Sequence, residues 1–325
     1  MSRRLGHGDL ITVFGGAGFV GRHAVRALAK RGFRIRVAVR RPDLAGHLQP
    51  MGNVGQIHAV QANLRYPDSI REAVAGADGV INLVGILAES RRQTFEAIHI
   101  DGARGVARAA REAGARSLLH LSAIGADPHS RSAYARSKAG GEAAVHEELG
   151  EAVILRPSVI FGPEDELFNR FAALARVLPV LPLIGGGKTR FQPVFVGDVA
   201  AAIVAALDGA AASGAVYELG GPEIITLADV MKRVLAYTER RRALVTMPFW
   251  LAKIQAFFAS PLPNPPITVD QVRLLQSDNV VSEEAMAAGR TLAGLGIDPP
   301  QAIESIVPSY LERFNPKGQY AHYRG

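Results

Sequence analysis

Short apolar runs alternate along the chain with longer stretches in which apolar positions recur every three or four residues. The runs are Leu10–Phe14, Ile35–Val39, Ile57–Gln61, Val80–Val84, Ser117–Leu121 and Val153–Leu155. Runs of this length, too short for helices and apolar on both faces, predict strands covered from both sides, as in a parallel sheet. The stretches between them predict helices over Phe19–Lys30, Pro67–Ala75, Gln93–Ala113 and Arg131–Leu149. Strand–helix alternation of this kind predicts an α/β fold, a doubly wound parallel sheet whose ligand crevice lies at the carboxyl ends of the strands.

After Arg156 the pattern changes. Prolines at 157, 163, 179 and 182 and glycines at 185 to 187 break the alternation, and a strand–helix–strand return follows from Phe191 through Asp198–Leu207 to Val216–Leu219. From Gly221 onward the chain reads as mostly helical, interrupted by Pro261, Pro263, Pro265 and Pro266. The expected organisation is a Rossmann core over 1–160, completed by 191–220. Residues 161–190 and 221–325 form a smaller, mostly helical region facing substrate or partner.

The segment Gly15-Gly16-Ala17-Gly18-Phe19-Val20-Gly21 directly follows the first strand and opens the first helix. Glycines at this spacing permit a tight turn and close backbone approach, so a pyrophosphate can sit against the amides of the helix N-terminus. The second strand ends in Arg40-Arg41. A carboxylate there would bind a ribose 2′-hydroxyl and repel a 2′-phosphate, whereas a guanidinium pairs with the phosphate. NADP(H) is the expected cofactor, and the alternative is a solvated arginine pair at a strand end.

Ser122 follows the fifth strand, and Tyr134-Ala135-Arg136-Ser137-Lys138 puts a phenol and an ammonium on one helical face. In that arrangement the positive charge is expected to lower the phenol pKa. Tyr134 could then exchange a proton with a carbonyl or alcohol while Ser122 hydrogen-bonds the same oxygen.

Gly15-x-x-Gly18-x-x-Gly21, Ser122, Tyr134-x-x-x-Lys138 and Arg156-Pro157-Ser158-Val159-Ile160-Phe161-Gly162-Pro163 resemble the short-chain dehydrogenase/reductase superfamily in its extended or atypical branch. Thr12 to Arg22, His120 to Ala126, Ile160 to Asp165 and Gln192 to Val199 are similar, more narrowly, to the NAD(P)H-binding accessory subunits of respiratory complex I. That resemblance covers nearly the whole chain, including Ile267 to Val272. It implies a peripheral subunit that holds NADPH tightly beside the quinone-binding end of the complex, outside the electron path. Its place would be the inner side of the energy-transducing membrane, the cytoplasmic face in a bacterium or the matrix face in a mitochondrion. Carried onto this chain, the resemblance implies a phosphate loop of Gly15, Gly16, Gly18, Phe19, Val20 and Gly21, and a 2′-phosphate clamp of Arg40 and Arg41. It also implies an adenine contact at Asn63 and Leu64, with Asn in place of the usual Asp. Val84 and Gly85 would lie beneath the adenosine, and Ser122, Tyr134, Lys138 and Pro157 beside the nicotinamide.

One departure bears on catalysis, because His99 stands where active relatives carry a relay asparagine. Histidine could pass a proton by another route or could pack as a core residue. The Ser-Tyr-Lys set is thus catalytic or vestigial. The alternative to an accessory or assembly subunit is an active NADP-dependent reductase, dehydratase or epimerase acting on a sugar nucleotide or quinone-precursor carbonyl. A non-catalytic redox-sensing regulator is the third possibility.

Composition adds less. There is no cysteine, and His7, His23, His47, His58, His120, His129, His146 and His322 show no metal-ligand spacing, so no metal is expected. The formal charge is +7, but only six of 37 basic residues are lysine, which fits coding bias better than a nucleic-acid surface. No apolar run reaches the length of a spanning helix, and the apolar segment behind Arg3-Arg4 is too short for a twin-arginine leader. Glu164-Asp165-Glu166 reads as an acidic first helical turn, and Gly185-Gly186-Gly187-Lys188-Thr189 as a flexible loop lacking the P-loop frame. Phe249, Trp250, Lys253, Ile254 and Phe257 fall near one helical face, with Arg240-Arg241-Arg242 shortly before. Such a segment suits an anionic membrane surface or a partner groove, or else a lid over the protein's own crevice.

Overall fold

The computed structural model describes residues 4–90, 92–260, 267–316 and 318. The start of the arginine pair, the prolines at 261 to 266 and His322 lie outside the described residues. In chain order the elements begin with β1 (Leu10–Phe14), α1 (Phe19–Arg31), β2 (Arg34–Val39), β3 (Ile57–Gln61), α2 (Pro67–Val74) and β4 (Gly79–Asn82). A π-helical turn, Glu96–Asp101, then leads into α3 (Gly102–Glu112), followed by β5 (Ser117–Leu121), α4 (Ala133–Glu148) and β6 (Val153–Pro157). Next come β7 (Ile160–Phe161), α5 (Phe168–Val177), β8 (Val180–Ile184), β9 (Arg190–Phe191), β10 (Val194–Phe195), α6 (Val196–Leu207) and β11 (Val216–Leu219). The last part holds β12 (Ile225–Thr226), α7 (Leu227–Tyr237), β13 (Ala243–Met247), α8 (Phe249–Ala259), α9 (Val269–Leu274), α10 (Glu283–Ala287) and α11 (Ile303–Leu311).

Two compact units share these elements. The first comprises Met1–Pro157, Val196–Leu219 and Ser282–Asp298. Its seven-stranded sheet has the order β11-β6-β5-β4-β1-β2-β3, with every pairing parallel. Phe14 lies in register with Ala38 on one side and Asn82 on the other, so β1, β2 and β4 deliver their carboxyl ends to one level. Helices α1 and α6 pack together, as do α2, α3 and α4. A core of Phe14, Ile70, Val80, Val106, Leu118 and Val145 is filled out by alanines of α3. Close approach also fixes the π-helical turn against α4, since a Cβ on Gly141 would stand 2.2 Å from the His99 carbonyl oxygen.

Element boundaries depart from the apolar pattern where polar chemistry intervenes. The strand read as Val80–Val84 ends at Asn82, whose Oδ1 accepts the Val84 amide and turns the chain out of the ladder. The helix read from Gln93 starts later, because Ser90 and Gln93 exchange backbone hydrogen bonds in a tight turn.

The second unit comprises Ser158–Phe195, Gly220–Val281 and Pro299–Gly325. Phe161, Phe168, Val230, Ile303 and Val307 form its main core, with two-stranded pairings β7 with β10, β9 with β12 and β8 with β13. The acidic trio does not form a first helical turn. Asp165 is buried ahead of α5, accepts the Phe168 and Asn169 amides and the Gly162 amide, and receives the Tyr310 hydroxyl. Burial pushes both the carboxyl and the phenol upward, and the shared hydrogen bond holds the proton on the phenol.

Candidate functional site

Gly15 takes φ of +79°, and a Cβ there would stand 3.1 to 3.2 Å from the backbone and side chain of Leu83 and Val84. Glycine is therefore required where β1 turns into α1. A Cβ on Gly16 would meet Val37 at 2.7 Å, and one on Gly21 would meet the Gly15 carbonyl oxygen at 2.1 Å, so these two permit close packing of helix on strand. Gly18 caps α1 without a side chain, and no acidic residue occupies the first turn. The amides of Phe19, Val20 and Gly21 consequently have no intrahelical acceptor and present a positive dipole end that suits an anion. The Phe19 ring turns aside to meet His23 edge-on.

At the end of β2 the two arginines differ. Arg40 donates to Gln93 Oε1 at 2.7 Å, whereas Arg41 forms an ion pair with Asp43 at 3.0 Å. Asp43 holds the Arg41 guanidinium above its ordinary pKa and is itself held low. Asn63 Oδ1 accepts the Arg65 amide in a local turn, and Leu64 is buried against Gly102.

The Ser-Tyr-Lys set stands at the ends of β5 and α4. Ser132 caps α4 by accepting the Ala135 amide, which fixes the helix start one residue before Tyr134. Ser122 is 4% exposed, and its Oγ has no hydrogen-bond partner among the described residues. Lys138 Nζ donates to the Leu121 carbonyl at 3.0 Å, and burial lowers its pKa to about 8 against the opposing charge of Glu142. The phenol of Tyr134 moves opposite to the expected direction. Desolvation pushes it up to about 12, and the ammonium does not offset that. Pro157 closes β6, its carbonyl accepting the Ile124 amide.

His99 is built into this group. Ser137 Oγ donates to the Tyr134 carbonyl, so its contact with His99 Nδ1 at 2.8 Å must be an Nδ1–H donation to the hydroxyl. His99 Nε2 in turn accepts the Ile86 amide at 3.0 Å, which fixes one neutral tautomer. Burial, reinforced by the Lys138 charge, lowers its pKa to about 3. The ring stacks on Phe95 and meets Tyr134 edge-on at 5.6 Å. A Cβ on Gly85 would lie 3.7 Å from His99 Nε2 and 3.8 Å from Lys138 Nζ, in ordinary contact with both, which places this glycine beside the two groups. Beside them Asn82 Nδ2 donates to Nδ1 of buried His120, whose pKa burial also depresses. Sequence reasoning missed Asn82, Gln93, Ser137 and His120. Asn82 and His120, polar residues inside apolar strand runs, were the available signal.

Other candidates fall elsewhere. A surface cleft of about 460 Å³ is lined by Arg136, Glu142, His146 and Arg156, residues of β6 and of α4 other than Tyr134 and Lys138. There Arg156 is bidentate to Glu142 and already paired. Among the described residues no group of three His, Cys, Asp or Glu could hold a metal, and no helix is long and apolar enough to cross a membrane. Phe249 does not join the aromatic face of α8 but seats against Gly185, where a Cβ would strike its ring. Trp250, Leu251, Ile254, Phe257 and Phe258 are exposed, over a buried seam of Ala252 and Ala256. Two of the three arginines before α8 serve the fold: Arg240 donates to the Phe314 carbonyl and Arg242 to that of Ala175.

The glycine turn, the strand order and the Tyr-Lys helix together define a dinucleotide-type crevice, and the model of the NAD dependent epimerase/dehydratase family matches residues 11–220, from β1 through β11. The chain belongs to that family. Within it, the protein is 40% identical over 294 residues to "NADH dehydrogenase [ubiquinone] 1 alpha subcomplex subunit 9, mitochondrial" of Arabidopsis thaliana, covering 86% of this chain and 72% of that protein. The Mus musculus protein of the same description is 36% identical over 307 residues, covering 92% and 79%. A "Ceramide reductase" of Caulobacter vibrioides is 38% identical over 197 residues, 60% of each chain.

Proposed function

We propose that this protein is an accessory or assembly subunit of respiratory complex I that holds NADP(H) in a structural or regulatory role. The observation that carries the reading is similarity along most of both chains to complex I subunits of a plant and a mammal. The crevice fits a dinucleotide on its own geometry. It combines glycines that no other residue could replace at 15 and 21, a helix end without a side-chain cap, and a buried Ser122 hydroxyl lacking a partner. Gly15, Gly16, Gly18, Phe19, Val20 and Gly21 would hold the diphosphate, and Arg40 and Arg41 the 2′-phosphate. Asn63, Leu64, Val84 and Gly85 would flank the adenosine, with Ser122, Tyr134, Lys138 and Pro157 beside the nicotinamide. The cofactor, when bound, supplies a ring able to carry hydride. The hydrogen-bond chain from His99 runs through Ser137 to the Tyr134 backbone carbonyl and not to its phenol or to Lys138, which favours retention over turnover.

In this reading the partners are complex I subunits near the quinone site. The protein sits peripherally on the inner side of the membrane, with the aromatic face of α8 against the complex or anionic lipid. Native purification tests it: the untagged protein should migrate with a large membrane complex carrying NADH:quinone activity. Migration as a soluble monomer or dimer would overturn it. The unpartnered Ser122 hydroxyl and the similarity to a reductase favour a second reading, an active NADP-dependent reductase, dehydratase or epimerase. Turnover lost on Tyr134→Phe would establish it, read as steady NADPH consumption with a carbonyl substrate for a reductase, or as sugar-nucleotide conversion without net cofactor consumption for a dehydratase or epimerase.

A further inference from the structure

The strand order places β1 between β2 and β4, and the glycine turn leaves the end of β1. The Arg40–Gln93 hydrogen bond joins the chain just past β2 to the chain beyond β4, and so links the two segments on either side of that turn. Gln93 is held in place by its own backbone, which donates to the Ser90 carbonyl at 2.8 Å and accepts the Ser90 amide at 3.0 Å. The two arginines end with different net charge. Arg41 has a carboxylate partner in Asp43, which offsets its charge, while Arg40 has a neutral amide that orients the guanidinium and leaves its charge in force. A guanidinium has five N–H donors, and one bond to an amide oxygen leaves the others for a phosphate.

We propose that Gln93 is a specificity-determining residue: it positions Arg40, without neutralising it, to receive the phosphate monoester on the adenine ribose of NADP(H). Of the two arginines that the reading pairs with this phosphate, Arg41 contributes less, because Asp43 already offsets its charge. The proposal rests on the dinucleotide reading of the crevice and adds to it the residue that sets the choice between the phosphorylated and unphosphorylated cofactor. Replacement by a carboxylate is the informative change, because Gln93→Glu keeps the contact with Arg40 while cancelling its charge and repelling the phosphate.

Calorimetric titration of the full chain with NADPH and with NADH tests this. Gln93→Glu should weaken NADPH binding by about tenfold or more and leave NADH affinity within about twofold, as expected when one charge-assisted contact is lost. Arg40→Ala should lower the NADPH preference by a similar factor, and Arg41→Ala by much less. Half-exposed Gln93 should tolerate the change without a shift in the melting temperature of the nucleotide-free protein. A Gln93→Glu protein with the wild-type NADPH-to-NADH ratio, or an Arg41→Ala loss larger than that of Arg40→Ala, overturns the proposal while leaving the site intact. A wild-type chain that binds neither nucleotide, or prefers NADH, overturns the reading of the crevice and the proposal with it.

Discussion

His99→Leu removes a ring of similar volume whose two nitrogens are both engaged. The Ile86 amide loses its acceptor, at a cost of about 1–3 kcal/mol for a donor left without a partner. Contacts with Phe95 and Tyr134 add roughly 0.5–1.5 kcal/mol beyond simple burial. Near pH 7.5 the variant should therefore be about 2–4 kcal/mol less stable. Acid should narrow that gap. The folded-state pKa of about 3 lies below the ordinary value of 6.5, so between them the unfolded chain binds a proton that the folded chain refuses. Stability of the wild type falls with pH through that window at up to about 1.4 kcal/mol per pH unit, reaching a loss of about 2 kcal/mol by pH 5. The leucine variant has no such term. Burial, the main cause of the depressed His120 pKa, acts in both proteins, while the smaller part that His99 adds to it is lost with the ring, which narrows the gap further in the same direction. Urea unfolding of both proteins, nucleotide-free, at half-unit steps from pH 7.5 to 5.0 reads the difference. A gap that stays constant or widens on acidification would refute the picture of a ring held neutral by burial.

Gly18→Asp should abolish the NADPH-dependent rise in melting temperature, because a carboxylate would face the phosphate at a helix end that has no acidic residue. At ligand near 100 times its dissociation constant that stabilisation is about 2.7 kcal/mol in the wild type, and an unchanged shift in the variant counts against the loop assignment. Tyr134→Phe should leave NADPH binding and complementation of a deletion strain largely intact, and failed complementation with binding preserved would favour the enzyme. Trp250→Ala combined with Phe257→Ala removes side chains that are 64% and 66% exposed. Stability and NADPH affinity should hold while membrane association is lost in fractionation, and persistent association would sink the interface assignment.

Periodicity exposed the central sheet almost residue for residue, since β1, β3, β5 and β11 begin and end where the apolar runs do. A strand buried on both faces has few alternatives to an unbroken apolar run, and a helix on a sheet few alternatives to its repeat. The glycine turn was legible for the same reason, because its backbone demands leave only one residue type. What escaped depends on distance in sequence. Nothing local to Tyr134 announces that its carbonyl receives Ser137 while Ser137 receives a proton from His99, 38 residues away. Nor does the Tyr-Lys spacing reveal that the ammonium is turned to the Leu121 carbonyl, which left the phenol pKa read in the wrong direction. Nor does the basic run before α8 reveal that Arg240 and Arg242 donate to carbonyls 74 and 67 residues away.

The interrupted make-up of both units governs how the chain can fold as it is synthesised. The edge of β6 waits for β11, and Glu218 in that strand is then tied down by the Ser282 amide and the Arg290 carbonyl. At ordinary ribosomal rates of about 5–20 residues per second, β6 stays an open edge for roughly 3–12 s, a template for unwanted pairing. Asp165 is kept waiting still longer, its carboxylate unburied until Tyr310 is made, 145 residues later. Neither unit is complete when 280 residues have emerged, so the final closure of both falls late in translation. The β6 edge and the Asp165 carboxylate are thus the places where the growing chain stays open longest to mispairing.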